Sequence, residues 1–134
     1  MGLEMLLVVD DQPAIRHLLL EALASDGFEV ELAANGREAV AKVQQRQPAL
    51  VLLDLKMPGM SGLETLRELN KVAPGLPVIL ITAYGELSDP GEAERMGVRC
   101  LILKPFDLDE VRVVVRRVLD KVSAEKHAKK ESGL

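Results

Sequence analysis

Four apolar runs in this chain each end on a polar side chain: Leu6-Leu7-Val8-Val9 on Asp10-Asp11, Leu50-Val51-Leu52-Leu53 on Asp54, Val78-Ile79-Leu80-Ile81 on Thr82, and Leu101-Ile102-Leu103 on Lys104. Uninterrupted runs of this length suit strands of a parallel sheet buried on both faces, and open sheets of that kind place their ligands at the carboxyl ends of the strands. With a fifth run over 28–33, the strand-like segments are 5–10, 28–33, 50–54, 78–82 and 99–103. They alternate with helical patterns, so the sequence predicts an α/β fold, a doubly wound five-stranded parallel sheet.

The helices have their own start and stop signals. The first carries Ile15, Leu18, Leu19, Ala22 and Leu23 at helical spacing and stops at Asp26-Gly27, where Gly suits a left-handed cap. The second is expected over 37–46. Ser61 with Glu64 forms a capping box for the third, whose Leu63, Leu66 and Leu69 face inward before Pro74-Gly75 ends it. For the fourth, Ser88-Asp89-Pro90 is a good start, but Gly91 follows and Gly97 closes the segment within two turns, so a short, mobile element is expected. Asp107 with Glu110 opens the fifth, where Leu108, Val111, Val115, Val118, Leu119 and Val122 share one face. Packing is expected to about Val122, with fraying beyond it. Residues 1–122 thus read as one domain and 123–134 as a polar, flexible C-terminal tail, in which Lys126, Lys129 and Lys130 outnumber Glu125 and Glu131.

A length of 134 residues suits one compact core, and with only Phe28, Tyr84 and Phe106 as aromatics that core is aliphatic. A formal charge of −4 argues against nucleic acid as a direct partner. Cys100 is the single cysteine and is expected to be a small core residue, which fits a reducing cytoplasm. No apolar stretch approaches the ~20 residues of a membrane span, and Met1-Gly2-Leu3-Glu4 lacks the basic flank of a secretory signal. A soluble, unexported monomer is expected.

Asp10, Asp11 and Asp54 at adjacent strand ends would repel one another unless a cation sits among them. Oxygen-rich sites of this kind suit Mg2+, which takes one or two carboxylates together with phosphate oxygens. Lys104 supplies a point charge and Thr82 a hydroxyl, both apt for the oxygens of a phosphoryl group in transfer. In a loose transition state, positioning and charge neutralisation provide most of the catalysis, so a carboxylate can be the nucleophile and form an acyl phosphate. Taken singly, an Asp after a strand is a common turn former, Thr82 an ordinary strand residue and Lys56 a solvated cation. The set as a whole is what reads as a site. His17 and His127 have no ligand-like companions and are placed on the surface.

With the acidic pair, the central Asp, the Thr and the Lys-Pro in order at the right strand ends, the chain resembles the response-regulator receiver family over about residues 3–122. The resemblance implies a flavodoxin-like (βα)5 fold with strand order 2-1-3-4-5. It implies Asp54 as phosphoacceptor, Mg2+ held by Asp11, Asp54 and the Lys56 backbone carbonyl, with Asp10 helping through water, and a phosphoryl group contacted by Thr82 and Lys104. A cis Lys104-Pro105 bond, aiming the Lys at the site, is also implied. Asp10-Asp11-Gln12 with Ile15-Arg16, Leu53-Asp54 with Lys56 and Pro58-Gly59-Met60, Thr82-Ala83-Tyr84-Gly85-Glu86-Leu87 and Lys104-Pro105-Phe106-Asp107 look like the single-domain relay regulators of sporulation phosphorelays. That likeness implies a sensor histidine kinase as donor and a His-containing phosphotransferase as acceptor. The partner surface would be Gln12, Ile15, Leu18, Lys56, Tyr84, Gly85, Leu87, Pro105 and Phe106, although Ile15 and Leu18 also read as core. Lys56 and Tyr84 could shield the acyl phosphate from water. Leu101 stands where many receivers carry an aromatic residue that swings inward on phosphorylation.

Two other functions share these residues: a chemotaxis-like adaptor switched by phosphorylation, and the receiver half of a longer DNA-binding regulator. A flavodoxin-like redox protein is disfavoured, because the acidic Asp10-Asp11-Gln12-Pro13 loop offers a phosphate-bearing cofactor no cradle of amides and small residues.

Overall fold

A computed structural model describes residues 3–132 except Tyr84 and Ser88. Strands and helices alternate through the chain: β1 Met5–Val9, α1 Pro13–Ser25, β2 Glu29–Ala33, α2 Gly36–Gln45, β3 Leu50–Asp54, α3 Gly62–Val72, β4 Val78–Thr82, α4 Pro90–Arg95, β5 Val98–Leu103 and α5 Leu108–Ser132. The strands form one parallel sheet in the order β2-β1-β3-β4-β5. The expected fold class and strand order are both present.

Side chains alternate across the sheet, and each face has its own core. Leu7, Val9, Val51, Leu53 and Leu80 pack with Ala39 and Val43 of α2, Leu66 and Leu69 of α3, and Ala93 of α4. Leu6, Val8, Leu50, Leu52, Ile79 and Ile81 pack on the other face with Leu19 and Leu23 of α1 and Val111, Val115 and Leu119 of α5. Every residue of β1, β3 and β4 is buried. The edge strands β2 and β5 are more open. Cys100 on β5 is half-buried rather than fully enclosed.

The caps fall where the sequence places them. Ser61 Oγ accepts the Glu64 N–H, Asp89 Oδ1 that of Glu92, and Asp107 Oδ1 that of Glu110. Gly27 ends the first helix at φ +92° and Gly97 the fourth at +97°. Ser88 lies outside the described residues; α4 is six residues long, as short as its two glycines suggest.

Leu18, which the sequence leaves open between core and partner surface, is 47% exposed, while Leu19 and Leu23 are fully enclosed. At about 100° per residue the buried stripe centres between Leu19 and Leu23, which leaves Leu18 roughly 120° away from it. The fifth helix does not stop near Val122 but continues to Ser132. Val122 is the last buried side chain among the described residues, yet the turns that follow it to Ser132 hold no Gly or Pro, and Ala, Glu and Lys favour helix. Glu125 is also tied to β5 by Arg99, at 2.9 Å.

No helix among the described residues is long and apolar enough to cross a membrane.

Candidate functional site

β1 and β3 lie side by side in the middle of the sheet, and the chain leaves them for opposite sides, β1 for β2 and β3 for β4. The crevice at such a switch is where doubly wound sheets receive ligands. Asp10 and Asp11 follow β1, and Asp54 closes β3. One carboxylate oxygen from each of Asp10, Asp11 and Asp54 lies within 4.8 Å of the other two. Asp10 and Asp54 are each 2% exposed. The structure therefore brings together the three carboxylates picked out in the sequence.

The loop after β1 is held from both sides. Pro13 opens α1, and Gln12 gives that helix no side-chain cap. The Gln12 N–H donates to Asp10 Oδ1 at 2.8 Å. From one turn into α1, the Arg16 guanidinium donates to the Asp10 carbonyl at 2.7 Å. That bracing role for Arg16 was not legible in the sequence, since a single Arg on a helix reads as solvated.

Lys104 reaches the cluster from the far strand. Its N–H donates to the Thr82 carbonyl at 2.9 Å, and the Lys104-Pro105 bond is cis, as the resemblance implies. Its Nζ donates to Asp54 Oδ1 at 3.0 Å. The Lys56 N–H approaches the same oxygen at 3.4 Å, while the Lys56 side chain is exposed. Burial pushes the Asp54 carboxyl above its ordinary range, and the hydrogen bond and charge of Lys104 offset only part of that. Asp10 is pushed up too, by burial first and then by the charges of Asp54 and Asp11, against the Gln12 N–H. For Lys104, burial works against the ammonium, but the contact with Asp54 outweighs it and the net direction is upward.

The Thr82 hydroxyl, expected to meet a phosphoryl group, donates to Glu86 Oε2 at 3.1 Å and lies 3.2 Å from the Ala83 carbonyl. Glu86 is thus a site residue that sequence reasoning missed; four residues past Thr82 in a loop, nothing in its spacing marks it.

Of the residues expected to meet a partner, Gln12, Lys56, Gly85 and Pro105 are exposed and Leu18 lies open. Ile15 and Phe106 are half-buried against the core under α1 and α5, and Leu87 against the core on the opposite sheet face. Tyr84 lies outside the described residues. His17 and His127 are both exposed.

Three carboxylate oxygens, two of them on buried side chains that repel each other, are hard donors that suit a small divalent cation. An ammonium placed 3.0 Å from Asp54, one of the two buried carboxylates, adds a second group suited to phosphate oxygens. Residues 6–116 match the response regulator receiver domain. The chain belongs to this family. Receiver domains are signalling phosphoacceptors that take phosphoryl groups from histidine kinases in two-component systems, and they bind Mg2+ at an acidic pocket like this one. Sporulation initiation phosphotransferase F of Bacillus subtilis is 43% identical over 116 residues, covering 87% of this chain and 94% of that protein. Regulatory protein AtoC of Escherichia coli is 41% identical over 121 residues, 90% of this chain but 26% of that protein, so this chain spans about a quarter of its length. Among solved structures, a CheY-like response regulator receiver domain protein from Methanospirillum hungatei superposes with a TM-score of 0.86 at 32% identity, over 92% of this chain and 99% of the other. NtrX from Brucella abortus gives 0.87 at 33% identity, over 97% of this chain and 29% of its own.

The uncompensated charge predicts a stability effect. Asp10→Asn keeps an acceptor for the Gln12 N–H and removes a buried carboxylate, so without divalent cation at neutral pH it should stabilise the fold by about 1–2 kcal/mol. The sign follows from the raised pKa: the native state binds the Asp10 proton more tightly than the unfolded chain, so wild-type stability rises as pH falls through that raised value toward 3.8. The advantage of Asn is then full above the raised value and vanishes below the ordinary one. Urea titrations at neutral and acid pH check it, and an advantage that grows with acidity contradicts it.

Proposed function

We propose that Asp54 accepts a phosphoryl group from the histidine of a sensor kinase and that this chain passes it to a histidine on a phosphotransferase. The observation that carries the reading is a nearly inaccessible carboxylate with Lys104 at 3.0 Å and two further carboxylates beside it. Both hydrogen bonds given to Asp54 by the described residues land on Oδ1, which leaves Oδ2 as the attacking oxygen. In the first step Oδ2 forms a bond to phosphorus as the phosphorus–nitrogen bond to the donor histidine breaks, and the electron pair stays with the imidazole. The onward step is the reverse, with the acceptor imidazole attacking phosphorus and Asp54 leaving as carboxylate. Mg2+, held by Asp11, Asp54 and the Lys56 carbonyl with Asp10 behind them, would neutralise charge on the phosphoryl oxygens. Lys104 neutralises another part of that charge, and Thr82 offers its hydroxyl once released from Glu86.

The donor and acceptor helices are proposed to dock beside this site on Gln12, Leu18 and Pro105, with Ile15 and Phe106 as the floor beneath them. Support for the relay role comes from the sporulation phosphotransferase, nearly all of whose length this chain matches at 43% identity. A second reading, the receiver of a longer regulator, is favoured by AtoC and NtrX, which match over about a quarter of their lengths.

The lifetime of the acyl phosphate and its onward transfer test the relay role. A relay stores the group, so label on Asp54 should persist for hours and move to an added histidine phosphotransferase domain within minutes. Label lost within a minute, with no transfer to such a domain, would refute the relay.

A further inference from the structure

The turn after β4 holds a contact that phosphoryl transfer does not use. Thr82 closes β4, and its hydroxyl donates to Glu86 Oε2 at 3.1 Å. The Ala83 N–H donates to the same oxygen, also at 3.1 Å. The Glu86 N–H closes the turn from the other side by donating to the Ala83 carbonyl at 3.2 Å. One carboxylate oxygen therefore takes two donors at the carboxyl edge of the sheet, on the strand next to Asp54. The Ala83 N–H first, then the Thr82 hydroxyl and the charges of Lys104 and Lys56, hold the Glu86 carboxyl below its ordinary range, so it is an anion at neutral pH.

Two donors converging on an anionic oxygen, within the field of two ammonium groups, make a small built receptor for a negatively charged oxygen. We propose that Glu86 is an intramolecular competitor of the phosphoryl group: it occupies the Thr82 hydroxyl and the Ala83 N–H in the unmodified protein and is expelled when a phosphoryl oxygen on Asp54 takes them. The inference rests on the reading of Asp54 as the phosphoacceptor. The Thr82 hydroxyl has a single proton to give, so it cannot serve both anions. Two anions on one pair of donors also repel, with each favoured only when the other is absent.

Expulsion has a structural consequence one residue on. Leu87 is half-buried against the core that includes Leu66 of α3 and Ala93 of α4, and it joins the Glu86 turn to the start of α4. Glu86 therefore couples the charge state of Asp54 to the approach of α4, and it lowers affinity for the phosphoryl group as the cost of that coupling. It is a positioning residue for Thr82 and makes no contact with the reacting atoms.

The test is a titration of the whole chain with beryllium fluoride in the presence of Mg2+, read by calorimetry and by backbone amide shifts. Glu86→Ala should bind about tenfold more tightly than wild type, the scale of one charge-assisted hydrogen bond returned to the ligand. Glu86→Gln keeps an acceptor but not the charge and should fall between them. In a Thr82→Ala background the gain from Glu86→Ala should shrink by at least half, because the hydroxyl part of the competition is gone. Equal affinity of wild type and Glu86→Ala overturns the inference, and so does an undiminished gain in the Thr82→Ala background, which would mean bulk charge alone. A different result marks failure of the underlying reading: no binding to wild type, or binding unchanged in Asp54→Ala, removes the Asp54 assignment and the inference with it.

Discussion

Gly62→Ala should destabilise the protein by about 3 kcal/mol, the upper range for a methyl forced into a filled space. A Cβ on Gly62 would meet the Leu55 carbonyl oxygen, the Leu55 Cα at 2.5 Å and the Asp54 carbonyl oxygen at 2.8 Å. All three are backbone atoms, which cannot rotate aside as the end of a flexible side chain would. The Gly62 N–H also donates to the Leu55 carbonyl at 2.8 Å, so this is where α3 is seated against the end of β3. Making room means lifting α3 or pushing away the segment that carries Asp54. A glycine of the loop before α3 is the control. Gly59 has φ +76° but nothing within 4 Å of its Cβ position, so Gly59→Ala should cost only about 1 kcal/mol of backbone strain. Urea denaturation of the two variants measures the difference, and equal midpoints would mean that α3 is not seated on Leu55.

The sequence spoke most clearly where burial left little freedom. The runs 50–54 and 78–82 are enclosed on both faces, so their apolar residues are continuous and the strand limits fall on the same residues in the structure. The carboxylate cluster was readable for the same reason, because a charge ending such a run has only the sheet edge to occupy. Pairing order was not written in those runs; it came with the family resemblance. Leu18 was left between two readings because a Leu beside a helical stripe looks in sequence the same as one within it. The extra turns of α5 escaped because a polar stretch without breakers reads equally as tail or as solvated helix, and the Arg99–Glu125 contact between distant positions favours the helix. Glu86 and Gly62 lie further still from sequence reasoning. What they do depends on atoms brought within hydrogen-bond or contact distance by the fold, at Thr82 in one case and at Leu55 in the other.

The central claim is that Asp54 is the nucleophile of an acidic, Lys-assisted site. Neighbouring carboxylates cannot replace it, since Lys104 donates to Asp54 and to no other acid among the described residues. The measurement is covalent phosphoryl incorporation by intact mass after incubation with a small acyl-phosphate donor and Mg2+, run beside Asp54→Ala and beside wild type with a chelator. One phosphoryl group on wild type, none on Asp54→Ala and none with the chelator is the predicted result. Label that survives Asp54→Ala, or a wild type that takes up none, would contradict the account.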